Sequence, residues 1–512
     1  MSRALLKSTG IVSAMTFLSR ILGFTRDIIF AHFFGAGAGT DAFFVAFRIP
    51  NLMRRLFAEG AFSLAFVPVF SQYKTQNSHE ELRRLTDDVA GTLSVILLGT
   101  TAVGVLAAPV LIWVFAPGFS QDQDKYTLTV EMLRITFPYL LFISLTALAG
   151  GMLNSFGRFA IPALTPALLN IVLIGAAVWV APQLDEPIMA LAWGVFFAGL
   201  LQLLFQLPFL KRLNLLPRPR WGWKSTGVQR ILKLMLPALF GSSVAQINLL
   251  FSTFLASFLV TGSVSWLYYS DRLVEFPLGI FGVALGTVIL PSLSKKHAAE
   301  SHESFSRTLD WALRLALLIG VPATVGLVIL AGPLLSTLFQ YGEFGPHDVR
   351  MASQSLMAYS LGLLAFMLVK VLAPGFYARQ DTRTPVKIGI IAMVVNMALN
   401  IVLFFPLAHA GLALGASLSS YLNALLLLYI LRKKGVYTPA PGWIRFLLQL
   451  IVANAIMGLA LWYDRGELLD WFQADVGYRV LHLGTLVGGG AAIYVFVGAA
   501  VGIRPRHLKL IT

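Results

Sequence analysis

The 512-residue chain contains no cysteine. Disulfides, thiol nucleophiles and cysteine-based metal sites are therefore excluded. Charge is scarce as well: Asp, Glu, Lys and Arg make up 12% of residues, against 57% hydrophobic ones. Soluble domains carry about 25% charged residues to keep their surface wet, so a soluble globule does not fit. No Gly-Lys dipeptide occurs, which removes the phosphate-binding loop of ATP-driven machines. No nucleophile-elbow motif is present, and the eight histidines are scattered without metal-ligand spacing. Gly35-Ala-Gly37-Ala-Gly39 resembles a nucleotide loop only superficially; it joins two apolar runs and reads as a flexible turn. The sequence therefore points to a protein that is not an enzyme, with neither a cofactor nor a bound metal.

What the chain has in abundance is long apolar runs. Mean hydropathy is +0.76, and stretches of roughly 18 or more mostly apolar residues recur throughout, the mark of membrane-spanning helices. They are too long and too continuously apolar for the alternating strands of a membrane barrel. The expected fold is an all-α polytopic membrane protein of about 14 helices, at 9–34, 41–72, 88–115, 128–155, 161–181, 187–209, 228–260, 265–294, 304–339, 349–377, 385–406, 410–432, 444–462 and 480–502. Several exceed the roughly 20 residues needed to cross, and Pro50, Pro68, Pro138, Pro237, Pro277, Pro322 and Pro374 are candidate bends. The N-terminal apolar stretch holds Arg20, Arg26 and Asp27 and lacks a plausible cleavage site, so it reads as the first span, not as a removable signal.

The formal charge of +15 would suggest nucleic acid in a soluble protein. Here it sorts topology and faces anionic lipid. Lys and Arg of the loops gather on one side, in runs such as Lys211-Arg212, Arg218 to Lys224 and Arg432-Lys433-Lys434; the opposite loops hold only Lys125, Arg350, Arg465 and Arg479. That asymmetry places both termini in the cytoplasm. An internal repeat is also visible. Leu106-Ala-Ala-Pro109 recurs as Leu330-Ala-Gly-Pro333, Pro68 as Pro291, and Asn170-Ile-Val-Leu173 as Asn400-Ile-Val-Leu403, in the same order and at offsets of 224, 223 and 230. Two parallel six-helix lobes follow, with a substrate site expected between them. The expected organisation is a first lobe with its cytoplasmic linker over 1–222, a second over 223–440, and two additional helices with a tail over 441–512. Gly484, Gly488, Gly489 and Gly490 would let the last helix approach a neighbour.

Nine bases lie within or near spans: Arg20, Arg26, Arg48, Arg54, Arg55, Arg134, Arg272, Arg314 and Lys370. Each costs about 2.5–3.5 kcal/mol at the bilayer centre on insertion scales unless it pairs or meets water. Five belong to the first two spans. Ser13, Thr16, Arg20, Gly23 and Asp27 share one helical face of span 1, and the repeat sets Arg48 in register with Asp271. Arginine binds phosphate oxygens bidentately and does not lose its charge, so these positions suit a phosphate- or carboxylate-bearing substrate. The structural alternative is that each Arg pairs with a nearby acid; it weighs more for Arg48, Arg55, Arg134 and Arg314 than for Arg20, Arg26, Arg54 and Arg272.

The segments Ser19-Arg20-Ile-Leu-Gly-Phe-Thr-Arg26-Asp27, Thr40-Asp41-Ala-Phe-Phe-Val-Ala-Phe-Arg48 and Pro50-Asn51-Leu-Met-Arg54-Arg55-Leu-Phe-Ala-Glu59 resemble the MurJ (MviN) family of lipid II flippases. So do Ser263-Val-Ser265-Trp-Leu-Tyr-Tyr-Ser-Asp271-Arg272 and Lys370-Val-Leu-Ala-Pro-Gly-Phe-Tyr-Ala-Arg379, and the likeness runs through essentially the whole chain. The family belongs to the multidrug/oligosaccharidyl-lipid/polysaccharide exporter superfamily. The resemblance implies two six-helix lobes plus two helices in the bacterial inner membrane. It also implies alternating-access transport of undecaprenyl-diphosphate-linked disaccharide-pentapeptide to the outer leaflet for peptidoglycan synthesis. Arg20, Arg26, Arg54 and Arg272 correspond to the family's important arginines, with Asp27, Asp41, Arg48, Asn51, Glu59, Ser265 and Asp271 in support; Arg48 stands where close relatives are expected to carry Lys. Implied partners are lipid II, membrane lipids and cell-wall synthesis proteins, and no nucleic acid. The competing readings are a flippase for another lipid-linked glycan, a cation-coupled drug exporter and a non-transporting scaffold. The exporter fits less well because of the two extra helices and the arginine excess.

Overall fold

A computed structural model describes the backbone of residues 3–56, 62–299 and 301–503, and the side chains of these except 3–9, 11, 237–245 and 283–288. Among the described residues there is no strand. Contacts divide the chain into two compact units, Met1–Val264 and Ser265–Thr512.

The first unit runs α1 (Arg3–Phe34), α2 (Ala38–Met53), α3 (Ser63–Gln76), α4 (His79–Leu106), α5 (Ala108–Phe115), α6 (Gln123–Thr136), α7 (Tyr139–Ser155), α8 (Ala160–Gly175), α9 (Met189–Arg212) and α10 (Thr226–Ala256). The second runs α11 (Ser263–Pro277), α12 (Val283–Ala298), α13 (His302–Ile329), α14 (Ala331–Phe339), α15 (Pro346–Tyr377), α16 (Arg383–Lys433), α17 (Trp443–Asp464), α18 (Leu468–Gln473) and α19 (Val476–Ala500). Nine helices among the described residues are long and apolar enough to cross a membrane. They correspond to ten of the expected spans, because α16 covers two. These are fused across Ala408, whose φ of 46° and ψ of −126° break the helical path. The other four expected spans are α1, α2 with α3, α10, and α11 with α12. Three of these hold the arginines Arg20, Arg26, Arg48, Arg54 and Arg272.

The repeated sequence blocks adopt matching local structure. Leu106-Ala-Ala-Pro109 breaks a 28-residue helix from an 8-residue one, with Ala107 at φ −83°, ψ 4°. Leu330-Ala-Gly-Pro333 breaks a 28-residue helix from a 9-residue one, with Leu330 at φ −95°, ψ 13°. In each case a proline that cannot continue the hydrogen-bond ladder follows the break. Residues 54–56 and Leu278–Gly282 are both π-helical, at the second span of each half.

The core of the first unit joins α3, α4, α7 and α10 through Phe66, Phe70, Met152 and Leu153, all buried. Thus α10, which follows the boundary expected at 222, packs with the first unit. The linker between α9 and α10 is strapped along α4: Arg220 N donates to Asp87 O at 3.1 Å, Arg218 N to Asp87 Oδ1 at 2.7 Å and Gly222 N to Thr92 Oγ1 at 3.1 Å. In the second unit, α17 and α19 pack on each other and on α13 around Leu330, Met457, Leu461 and Trp471. Within the Gly484–Gly490 stretch of α19, Gly490 meets Leu461; Gly484, Gly488 and Gly489 face open space. The turn before α17 is pinned by Asp310, which accepts from Tyr437 OH at 2.8 Å, Ala440 N at 3.1 Å and Trp443 Nε1 at 2.7 Å.

Candidate functional site

Arg26 and Asp27 lie where α1 packs on α8, and both are buried. The Arg26 guanidinium donates twice to Asp27 Oδ1, at 3.0 and 2.6 Å, and through Nη1 to Asn170 Oδ1 at 3.0 Å. Asn170 Nδ2 donates in turn to Ser19 O at 3.1 Å. Gly23 lies beside this contact, where a Cβ would stand 3.5 Å from Asn170 Nδ2, an ordinary van der Waals distance. Arg20 shares a helical face with Asp27, yet it is exposed, and among the described residues it has no hydrogen-bond or ion-pair partner. Depth along α1, not angle around it, separates the two, because the first half of the helix is little covered.

On α2, buried Asp41 pairs with Lys125 Nζ at 2.9 Å and accepts from Gly262 N at 2.8 Å. Lys125 also lies 4.1 Å from the ring centre of Phe119. This one carboxylate ties α2 to α6 and to the turn after α10. Further along α2, Arg48 Nη1 donates to Thr253 Oγ1 on α10 at 2.6 Å. Arg54, half-buried at the π-helical end, donates through Nε to Asn51 Oδ1 at 2.9 Å. Glu59 lies outside the described residues. In the first unit, therefore, Arg26 is held by Asp27 and Asn170, Arg48 by Thr253 and Arg54 by Asn51.

In the second unit Arg272 on α11 is partly exposed. It pairs with Glu275 at 2.8 Å, donates to Tyr268 OH at 3.2 Å and lies 5.0 Å from the centre of that ring. Asp271 is exposed and Ser265 fully buried. Arg314 pairs with Asp310 at 2.8 Å and stacks on Trp443, which is the structural role weighed for it. Arg134 and Lys370 are exposed.

Two residues escaped sequence reasoning as site members. Lys125 reads as an ordinary loop base, and only the tertiary fold carries it to Asp41. Asn170 was visible as a repeated residue, but its contact with Arg26 was not.

All-helical units with matching broken helices are the architecture of a membrane transporter. A solved inward-facing multidrug transporter of the MOP superfamily shares the fold, with a TM-score of 0.66 at 13% identity over 85% of this chain and 99% of that one. The model of the lipid II flippase MurJ family matches residues 30–476, and the chain belongs to that family. It is 49% identical to a probable lipid II flippase MurJ of Vibrio cholerae over 100% of this chain and 99% of the relative. It is 47% identical to the lipid II flippase MurJ of Burkholderia cenocepacia over 96% and 95%. A solved lipid II flippase MurJ in an inward closed conformation superposes with a TM-score of 0.81 at 27% identity, covering 97% of this chain and 99% of that one. The protein is a multi-pass membrane protein.

Proposed function

We propose that this protein carries lipid II from the inner to the outer leaflet of the bacterial cytoplasmic membrane by alternating access, for peptidoglycan synthesis. In this reading Arg20, Arg26, Arg54 and Arg272 grip the diphosphate. Asp27 positions Arg26 and Asn51 positions Arg54, with Asp41, Arg48, Glu59, Ser265 and Asp271 in support, and both termini are cytoplasmic. The two six-helix halves, 1–222 and 223–440, are the bodies that alternate, while 441–512 serves the undecaprenyl tail.

The observation that carries this reading is Arg20. It is an exposed guanidinium on a membrane helix with no partner among the described residues. Such a charge is costly in hydrocarbon and is retained where it faces water or an anionic ligand. A planar fork fits two phosphate oxygens. Family membership supplies the substrate class. Cells depleted of the native protein and supplied with Arg20→Ala or Arg272→Ala at matched membrane levels should lose delivery of lipid II to the outer leaflet. Normal delivery in both variants would remove the arginine grip and leave these side chains as structural groups.

A further inference from the structure

A cavity of about 440 Å³ opens in the second unit, between the α13–α14 junction, α15 and the turn that follows α17. Its walls are mostly apolar, with Met357, Leu468 and Trp471 among them, and it holds one base and one acid, Arg465 and Glu467. The turn is rigid. Gly466 takes a left-handed φ of 66°, and Trp471, almost fully buried, donates from Nε1 to Arg465 O at 2.6 Å.

Arg465 is anchored without being neutralised. Nη1 donates to Ile329 O at 2.9 Å, and the guanidinium lies 3.8 Å from the centre of the Trp462 ring. Among the described residues it has no carboxylate partner, and neither does Glu467 have a base, although both line the same cavity. Burial pulls the Arg465 pKa below its ordinary value, so the site favours a counter-charge. Trp462 and Tyr463 on the last turn of α17 are 61% and 90% exposed, as in the aromatic belt of a membrane interface. Loop charges assign this end of α17 to the outer face.

An acid and a base that share a cavity but not each other call for a ligand with both charges. An anionic headgroup would satisfy Arg465 and be repelled by Glu467. A quaternary ammonium would carry the right charge but no N–H for the carboxylate. A phosphodiester next to a primary ammonium satisfies both. The volume lies within the roughly 300–1,000 Å³ of ordinary ligand sites, enough for a headgroup whose acyl chains continue outside, beside the 37%-exposed Met357. We propose that the cavity at Arg465, Glu467, Trp462 and Trp471 binds an outer-leaflet phospholipid of the phosphatidylethanolamine type. The guanidinium would hold its phosphate and the Glu467 carboxylate its ammonium. This site shares no residue with the transport arginines, so its failure leaves the transport reading intact.

The test is native mass spectrometry of the full chain in detergent, titrated with phosphatidylethanolamine and phosphatidylglycerol of matched acyl chains. Wild type should retain phosphatidylethanolamine preferentially. Glu467→Gln, at an exposed side chain, should weaken that retention by about tenfold, the scale of one charge-assisted contact, and leave phosphatidylglycerol equal or stronger. Arg465→Lys keeps the charge but loses the fork, and should weaken both lipids; a thermal unfolding curve matching wild type shows that it has folded. Equal retention of the two lipids by wild type, no retention of either, or wild-type phosphatidylethanolamine binding by Glu467→Gln overturns the proposal.

Discussion

At the scale of single residues, pairing inside an apolar protein decides what each charge can do. Asp41 and Lys125 are almost fully buried and lie 2.9 Å apart. Removing one partner strands the other, which costs about 3–5 kcal/mol in buried pairs, whereas replacing both with apolar groups costs less. Lys125→Met should therefore lower the melting temperature of the detergent-purified protein strongly, and Asp41→Leu combined with Lys125→Met should recover part of the loss. Asn170 makes one hydrogen bond to a cation and one to a carbonyl. Asn170→Ala should cost about 1.5–3 kcal/mol, the range for a bond to a charged group, measured as a fall in thermal stability at unchanged expression. Asp381 acts at the surface: bonds from Thr384 and then Lys434 hold its carboxyl at about 2. Its folded pKa lies below the unfolded value, so its contribution is present above about pH 4 and is lost as pH falls toward 2. Asp381→Asn should flatten the acid limb of a stability–pH curve in that window.

At the scale of elements, backbone geometry sets where helices stop and what lies on them. Ala408 sits at φ 46°, a region that L residues occupy under strain. Ala408→Gly should stabilise the protein by up to about 1 kcal/mol, visible as a raised melting temperature. The strap along α4 depends on Gly91, where a Cβ would stand 2.2 Å from Arg220 O. The contact is with backbone, so Gly91→Ala must push the strap away. Limited trypsin digestion should then cut faster after Arg220, since Pro219 protects the Arg218 bond. The bases on the loops assigned to the outer face follow the same logic. Lys125 is paired, Arg465 and Arg479 are bound to carbonyls, and Arg350 stacks on Phe472. Each is tied into the protein.

At the scale of the whole molecule, the repeat is expressed as local structure. A proline after the break in α4–α5 and in α13–α14, and a π segment in each second span, give the two halves the same articulated helices. Broken helices in corresponding positions of two halves are what transporters use at their working sites. A cycle that moves cationic side chains in the membrane field gains about 2.3 kcal/mol per charge per 100 mV. Collapsing the membrane potential at constant proton gradient should therefore change the rate at which lipid II reaches the outer leaflet, and an unchanged rate would mean that the arginines do not move through the field.

The sequence by itself determined the all-helical membrane fold, the repeat and the family, because apolar length, periodic breaks and local motifs are written in consecutive residues. It also marked Arg20 and Arg26 as charges that need a reason. Only the tertiary structure decided what those charges meet. Arg26 finds Asn170 from 144 residues away, Asp41 finds Lys125 from 84, and Arg20, on the same helical face as Asp27, stays uncovered. Helix periodicity fixes the angle of a side chain around its own axis. Whether a neighbour covers it depends on packing between distant segments, and no local pattern carries that information.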